Sequence, residues 1–284
     1  MRATPGRTPS FILRPSMNAV LYDVALTAYI LAAAAAIGSL VGRRDQLAWI
    51  ALLLTQAGWI CHTAAVIARG IELGRLPFMT MPEVISLVIW AAVLLDFWIE
   101  RRHRIRPLSA FVLPVILALG LGLPTGLRSI ALETPVRSGW ILVHVALLLV
   151  GLAALVLNFG IALMYLLRER QLKHKRTGAL SRRLPPLETL DRLAVGTLTI
   201  GFPFLTVGLA LGVLSAPAAW GSLLTFDPLA LFSLVMWVIY AATLVGRVMG
   251  QWGGRRAAYY AIAGFCVLLA TLSAGVFLHG RHGS

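Results

Sequence analysis

Charge is what this chain has least of. Only 13% of its 284 residues are charged, where an ordinary soluble domain has about a quarter. Acidic side chains are the scarcest, 11 Asp and Glu against 25 Lys and Arg. Cysteine is nearly absent. Cys61 and Cys266 both lie inside apolar runs, so there is no CxxC, no CxxCH and no framework of disulfides. Also missing are a Ser/His/Asp set, an HExxH helix, a phosphate-cradling loop and paired carboxylates, which leaves no self-contained catalytic constellation. What fills the space is apolar: 59% of residues are hydrophobic and the mean hydropathy is +0.84. These figures exclude disorder, collagen and coiled coil, and they imply an all-α, polytopic transmembrane bundle.

A bilayer core takes roughly 20 apolar residues per helix. By that measure eight spans are expected: Ala19–Val41, Leu47–Ala68, Val84–Ile99, Leu108–Leu123, Trp140–Leu167, Leu193–Ala216, Leu229–Val248 and Ala257–His279. The third and fourth are short. The first run is too long for the apolar region of a signal peptide and has no small-residue cleavage pattern, so it reads as a span. The chain then divides into a tail (1–18), four N-terminal spans (19–139) and a four-span region (140–284).

The net charge of +14 sorts by connection. Seventeen of the 25 basic residues follow the odd-numbered spans, eight of them between Arg168 and Arg192; the even-numbered connections hold only Arg69, Arg75, Arg128 and Arg137. The positive-inside rule places the odd connections in the cytoplasm and both termini outside, with Arg2, Arg7 and Arg14 as the exceptions. The excess is therefore topological, and nucleic acid is not an expected partner. The basic segment Arg168–Arg192 is expected to face anionic lipid headgroups, with docking of a protein as the alternative. Pro185 and Pro186 divide it from the helix that follows.

Polar groups inside spans mark function by default. Asp23 and Asp96 lie near span ends, close enough to reach the interface. His62, in WICHTAAVIARG, sits about 10 Å below the outer boundary at helical rise. It reads either as a neutral histidine bonded to a neighbouring helix or as a ligand; Cys61 points about 100° away and is no co-ligand. His144 shares a face with Trp140 at the outer end of span five. His279 closes the last span, while His103 and His174 belong to basic loops and His282 to the tail. The outer connection SAPAAWGSLLTFDPLALF is too apolar for a solvated loop. It is an interfacial aromatic belt, or it covers something flat and apolar; haem held by imidazoles from spans five and eight satisfies the second reading.

These residues carry a resemblance. From about Trp140 to His279 the chain resembles the cytochrome c assembly family of haem-handling membrane proteins, the CcsA, CcmC and HemX group. That family has a tryptophan-rich outer loop, the WWD domain, of the form WGxxWxWDP. Here the loop (218–228) contains Trp220-Gly221-Ser222-Leu223-Leu224-Thr225-Phe226-Asp227-Pro228, in register at both ends, with Leu224 and Phe226 in place of two tryptophans. LPPLETLDRL and GFPFLTVGLALG are similar to the family's approach to the loop. Val245 stands where synthesis-dedicated members carry a further histidine, and His62 with LGRLPFMTMPEVISLVIW resembles the front half of eight-span, HemX-like members.

The resemblance implies an inner-membrane protein that binds haem b on its outer, periplasmic face. It makes His144 and His279 the axial ligands of the haem iron, Trp220, Gly221, Phe226 and Asp227 the porphyrin-packing loop, and His62 a deeper alternative ligand. Other cytochrome c biogenesis membrane proteins and apocytochrome would be partners, alongside the lipid bilayer. Two rivals stand beside it: a transport-accessory protein using Asp23, His62 and Asp96, and a regulatory scaffold docking through Arg168–Arg192. Against transport, the spans contain no pair of matching Gly/Pro breaks.

Overall fold

A computed structural model describes residues 16–42, 45–103, 105, 107–121, 139–175, 183–220 and 228–279. Of residues 121, 139, 215–220, 228 and 274–279 only the backbone is described. Among the described residues the chain is all-helical: α1 (Met17–Gly42), α2 (Asp45–Leu73), α3 (Met81–His103), α4 (Ser109–Leu121), α5 (Gly139–Lys173), α6 (Leu187–Trp220), α7 (Pro228–Val248) and α8 (Gly254–His279). Seven of these are long and apolar enough to cross a membrane; α4 is the shorter one.

Each expected span has its helix, and most helices run past the apolar window at one or both ends. α3 continues through the basic Arg101, Arg102 and His103 of its last turn. Cations there complement the carbonyl end of the helix, which lets the helix outrun its apolar stretch. Its start is set by a reciprocal cap. The Glu83 amide donates to Thr80 Oγ1 at 3.4 Å, and the Thr80 amide donates to Glu83 Oε2 at 3.3 Å, with Pro82 in the first turn. α6 begins directly after Pro185-Pro186, and α7 begins on Pro228, both as the proline positions require.

α4 has 13 residues, which at helical rise is about 20 Å against the roughly 30 Å of a hydrocarbon core. It lies inside the bundle against α1, α3 and α5, with Val112, Leu113 and Ile116 fully buried. Pro114 inside it removes one backbone donor.

With lipid as apolar as leucine, the helices are joined by close packing and by hydrogen bonds. Among the described residues, α5 with α6 and α1 with α2 form the two most extensive pairs. A Cβ built on Gly151 would lie 2.9 Å from the Leu205 nitrogen, and one on Gly201 would lie 2.7 Å from Ala154 Cβ, so the backbones nearly touch. Asn158 on α5 donates to Ala194 O (2.7 Å) and Thr197 Oγ1 (2.9 Å) on α6. Trp237 on α7 donates to Thr206 Oγ1 at 2.9 Å, and Arg247 at the end of α7 pairs with Asp191 of α6 and donates to Trp252 O at 2.8 Å. Trp59 of α2 and Trp90 of α3 stack at 5.4 Å, and each indole N–H is bonded across the same interface. Apolar side chains such as Trp49, Ile60, Ile67, Leu214 and Val248 remain exposed, as a lipid-facing surface requires.

Asp96 departs from expectation. It is fully buried instead of reaching an interface, because α3 continues about two turns beyond it. Its Oδ2 accepts from Ser109 Oγ of α4 at 2.6 Å.

Candidate functional site

His144 stands in the second turn of α5, and its surroundings come from one short stretch of α6. GLALG supplies Gly208 and Gly212 four residues apart, hence on one face. On α5, His144 and Leu148 are also four apart. The two pairs interlock: a Cβ on Gly208 would lie 2.8 Å from Leu148 Cδ2, and one on Gly212 would lie 2.7 Å from His144 Cε1. The imidazole therefore rests on bare α6 backbone, in space that any other residue at 212 would take.

The ring is held by one bond, from Nδ1 to the Gly208 carbonyl oxygen at 2.6 Å. A carbonyl only accepts, so Nδ1 carries the proton. In the neutral ring the lone pair is then on Nε2, which has no hydrogen-bond partner among the described residues. Metal-ligating histidines are commonly prepared in this way, the second nitrogen being fixed by a backbone carbonyl or carboxylate. His144 is half-buried and Trp140, one turn before it, is 66% exposed. The donor chemistry and partial access fit a residue that would hold a haem iron.

His279 is the last residue of α8; its side chain is outside the described residues. Its height can still be read from the packing of α8 on α5. Phe159 stacks on Phe265 at 4.1 Å, while Gly254 abuts Tyr165, so the helices run antiparallel. The same count continued along α8 brings its end level with His144. The backbone of Trp220 closes α6 at this same end, because α6 runs antiparallel to α5 through the pairings 158 with 197, 148 with 208 and 144 with 212. Gly221, Phe226 and Asp227, expected in the apolar loop, lie outside the described residues, as do Arg128 and Arg137.

His62 is elsewhere. It is fully buried on α2, facing α1 and α3. Nε2 lies 2.9 Å from Ser86 Oγ and Nδ1 3.4 Å from Tyr29 Oη, and the Tyr22 ring meets it edge-on at 5.3 Å. Both nitrogens are in use, which matches the bonded-histidine alternative. Its neighbours share no residue with those of His144. Among the described residues there is no group of three or more His, Cys, Asp or Glu able to hold a bare metal ion. Val245 is half exposed, on the outward side of α7.

Two features were not anticipated. Tyr22, Tyr29 and Ser86 enclose His62 from helices remote in sequence. Glu83 is buried beneath two arginines, accepting from Arg75 Nη1 at 3.0 Å and Arg69 Nη2 at 3.4 Å. A TxxE before an apolar run signals the helix start, but nothing in the pattern signals the arginines.

Residues 78–282 match the family described as Cytochrome C assembly protein. Cytochrome c biogenesis protein CcsA of Parasynechococcus marenigrum (strain WH8102) is 32% identical over 257 residues, spanning 81% of this chain and 84% of its own. The CcsA of Guillardia theta is 30% identical over 232 residues, spanning 73% and 76%. Among solved structures, Cytochrome c Heme Lyase CcmF superposes with a TM-score of 0.67 at 15% identity, covering 95% of this chain and 48% of that one. This chain thus spans less than half of that protein, and the likeness is one of fold.

Proposed function

The chain belongs to the cytochrome c assembly protein family, and from that premise we propose that it is a haem-binding integral membrane protein that handles haem for cytochrome c biogenesis. The observation that supports this most is His144, with Nδ1 committed to the Gly208 carbonyl and Nε2 left as a lone-pair donor. The names of its relatives point the same way. His144 and His279 would hold the haem iron, from helices that the α5–α8 register brings level. Trp220, Gly221, Phe226 and Asp227 are proposed to pack the porphyrin. The group is taken to be haem b, carried on the outer, periplasmic face on the strength of the charge count.

When bound, haem supplies redox-active iron whose chemistry depends on its axial ligands and apolar shell. The chain's own part is to bind and orient. Gly208 fixes the His144 tautomer, and Gly212 leaves room for the ring. His62 is a ligand only if its bonds to Tyr29 and Ser86 open, so its proposed part is to hold α1, α2 and α3 together. A covalent attachment step takes its apocytochrome and reductant from partners, because this chain has no CxxC. Val245 and the loop's lost tryptophans support a place near the HemX-like members.

The test is spectroscopic. Purified protein, given haemin if necessary, shows a Soret band, and the His144→Ala, His279→Ala double variant loses or shifts it. A colourless preparation that takes up no added haemin overturns the proposal.

A further inference from the structure

At the arginine-rich ends of α5 and α8 a cleft of about 460 Å³ opens between the two helices. Its polar wall is made by Glu169, Arg170, Lys173 and His174 of α5 and by Arg255 and Tyr259 of α8. The helices supply these residues for separate local reasons. Arg170 and Lys173 occupy the last turn of α5, where cations complement the carbonyl end. Arg255 is the second residue of α8, in its first turn.

The internal bonding leaves the cleft positive. Among the described residues Glu169 is the one carboxylate in the lining, and it serves two cations, Lys173 Nζ at 2.8 Å and Arg255 Nε at 3.6 Å. Arg170 has no carboxylate partner among the described residues. Three cations against one anion give a formal surplus of two positive charges, before His174 is counted. Lys173 and Arg255 are each 56% exposed, so their charged heads remain accessible. Arg255 also lies over the Tyr259 ring, 5.8 Å from its centroid, which fixes the guanidinium at the mouth.

The other wall of the cleft is apolar. Leu166 and Leu167 line it one turn nearer the membrane core, and Tyr259 is 52% exposed beside them. Within about two turns the surface thus passes from surplus positive charge to hydrocarbon. A free inorganic anion uses only the first half of that surface. A molecule with an anionic phosphodiester joined to acyl chains uses both, and basic pockets between transmembrane helices are suited to such headgroups.

We propose that this α5–α8 cleft is a binding site for an anionic phospholipid, its phosphate held by Arg170, Lys173 and Arg255. The site lies at the opposite end of α5 from His144 and is independent of the haem reading. It is also narrower than a general attraction of basic loops to the membrane, because it depends on a residue of α8 placed beside the end of α5.

Native mass spectrometry of the full chain tests it, using detergent micelles doped with phosphatidylglycerol or with phosphatidylcholine. Wild-type protein is expected to retain phosphatidylglycerol in preference to phosphatidylcholine. The Arg170→Gln, Lys173→Gln double variant and the separate Arg255→Gln variant are each expected to retain it about tenfold less, as for loss of a charge-assisted bond. Arg192→Gln removes an exposed cation of α6 and is expected to change nothing. Equal retention of the two lipids, or undiminished retention by the cleft variants, overturns the proposal. So does an equal loss in Arg192→Gln, which would reduce the effect to bulk charge. Displacement of the lipid by millimolar inorganic phosphate would assign the site to a free anion instead.

Discussion

His62 and His144 occupy one bundle, but their environments give the two imidazoles different chemistry. His62 is enclosed by α1, α2 and α3, with a hydroxyl at each nitrogen and no exposed surface. His144 lies in the α5–α6 seam with one nitrogen on a carbonyl and the other without a partner among the described residues. A buried imidazole with both nitrogens satisfied joins helices, and breaking either bond strands a polar group in a dry place. An imidazole with one nitrogen fixed by a carbonyl is a donor held ready. Depth in the membrane alone would have ranked His62 as the more functional residue, and the partners reverse that ranking.

Three substitutions sharpen or break the contrast. The largest effect on stability is expected from His62→Ala, which leaves a cavity and two unpaired hydroxyls, at a cost of about 3 kcal/mol. Thermal unfolding in detergent should show a clearly lowered midpoint, while any Soret band keeps its position. Loss of the band with unchanged stability would exchange the roles of the two histidines. Gly212→Ala comes next. Its Cβ would lie 2.7 Å from His144 Cε1, so the ring must leave its seat at a cost of about 1–2 kcal/mol. Haemin titration should show weakened uptake, and unaltered uptake would mean that the seat does not matter. The smallest effect is expected from Ser86→Ala, which removes one partner of His62 and costs about 1 kcal/mol. Its haem spectrum should be that of the parent.

The eight helices were legible because lipid imposes a length and a composition on each span, and both can be counted in the sequence. Helix ends were also legible at prolines: Pro185-Pro186 before α6 and Pro228 at the head of α7. The full reach of α3 was not, because cations at a helix end carry it past its apolar stretch. The contacts that decide the histidines' roles were hidden for a different reason. Tyr29 and Ser86 lie 33 and 24 residues from His62, and Gly208 lies 64 from His144. No periodicity spans such distances. Small residues spaced as in GLALG permit close helix packing, but do not say which side chain lies against them. The resemblance supplied His144 as a candidate ligand, and the carbonyl that fixes its proton emerged only from the fold.

The seam between α5 and α6 has one more consequence. Its register holds over about three turns, with 144 against 212, 148 against 208, 151 against 205 and 154 against 201. A one-turn slide in one direction would set Leu148 against Phe204 where Gly208 now leaves a gap. In that direction the seam is a keyed joint. Because the Gly208 carbonyl belongs to the joint, the protonation pattern of His144 follows helix registry. Any motion that unseated α6 would release the Nδ1 proton from its acceptor and let the ring turn, coupling a rigid-body displacement to the availability of a single lone pair.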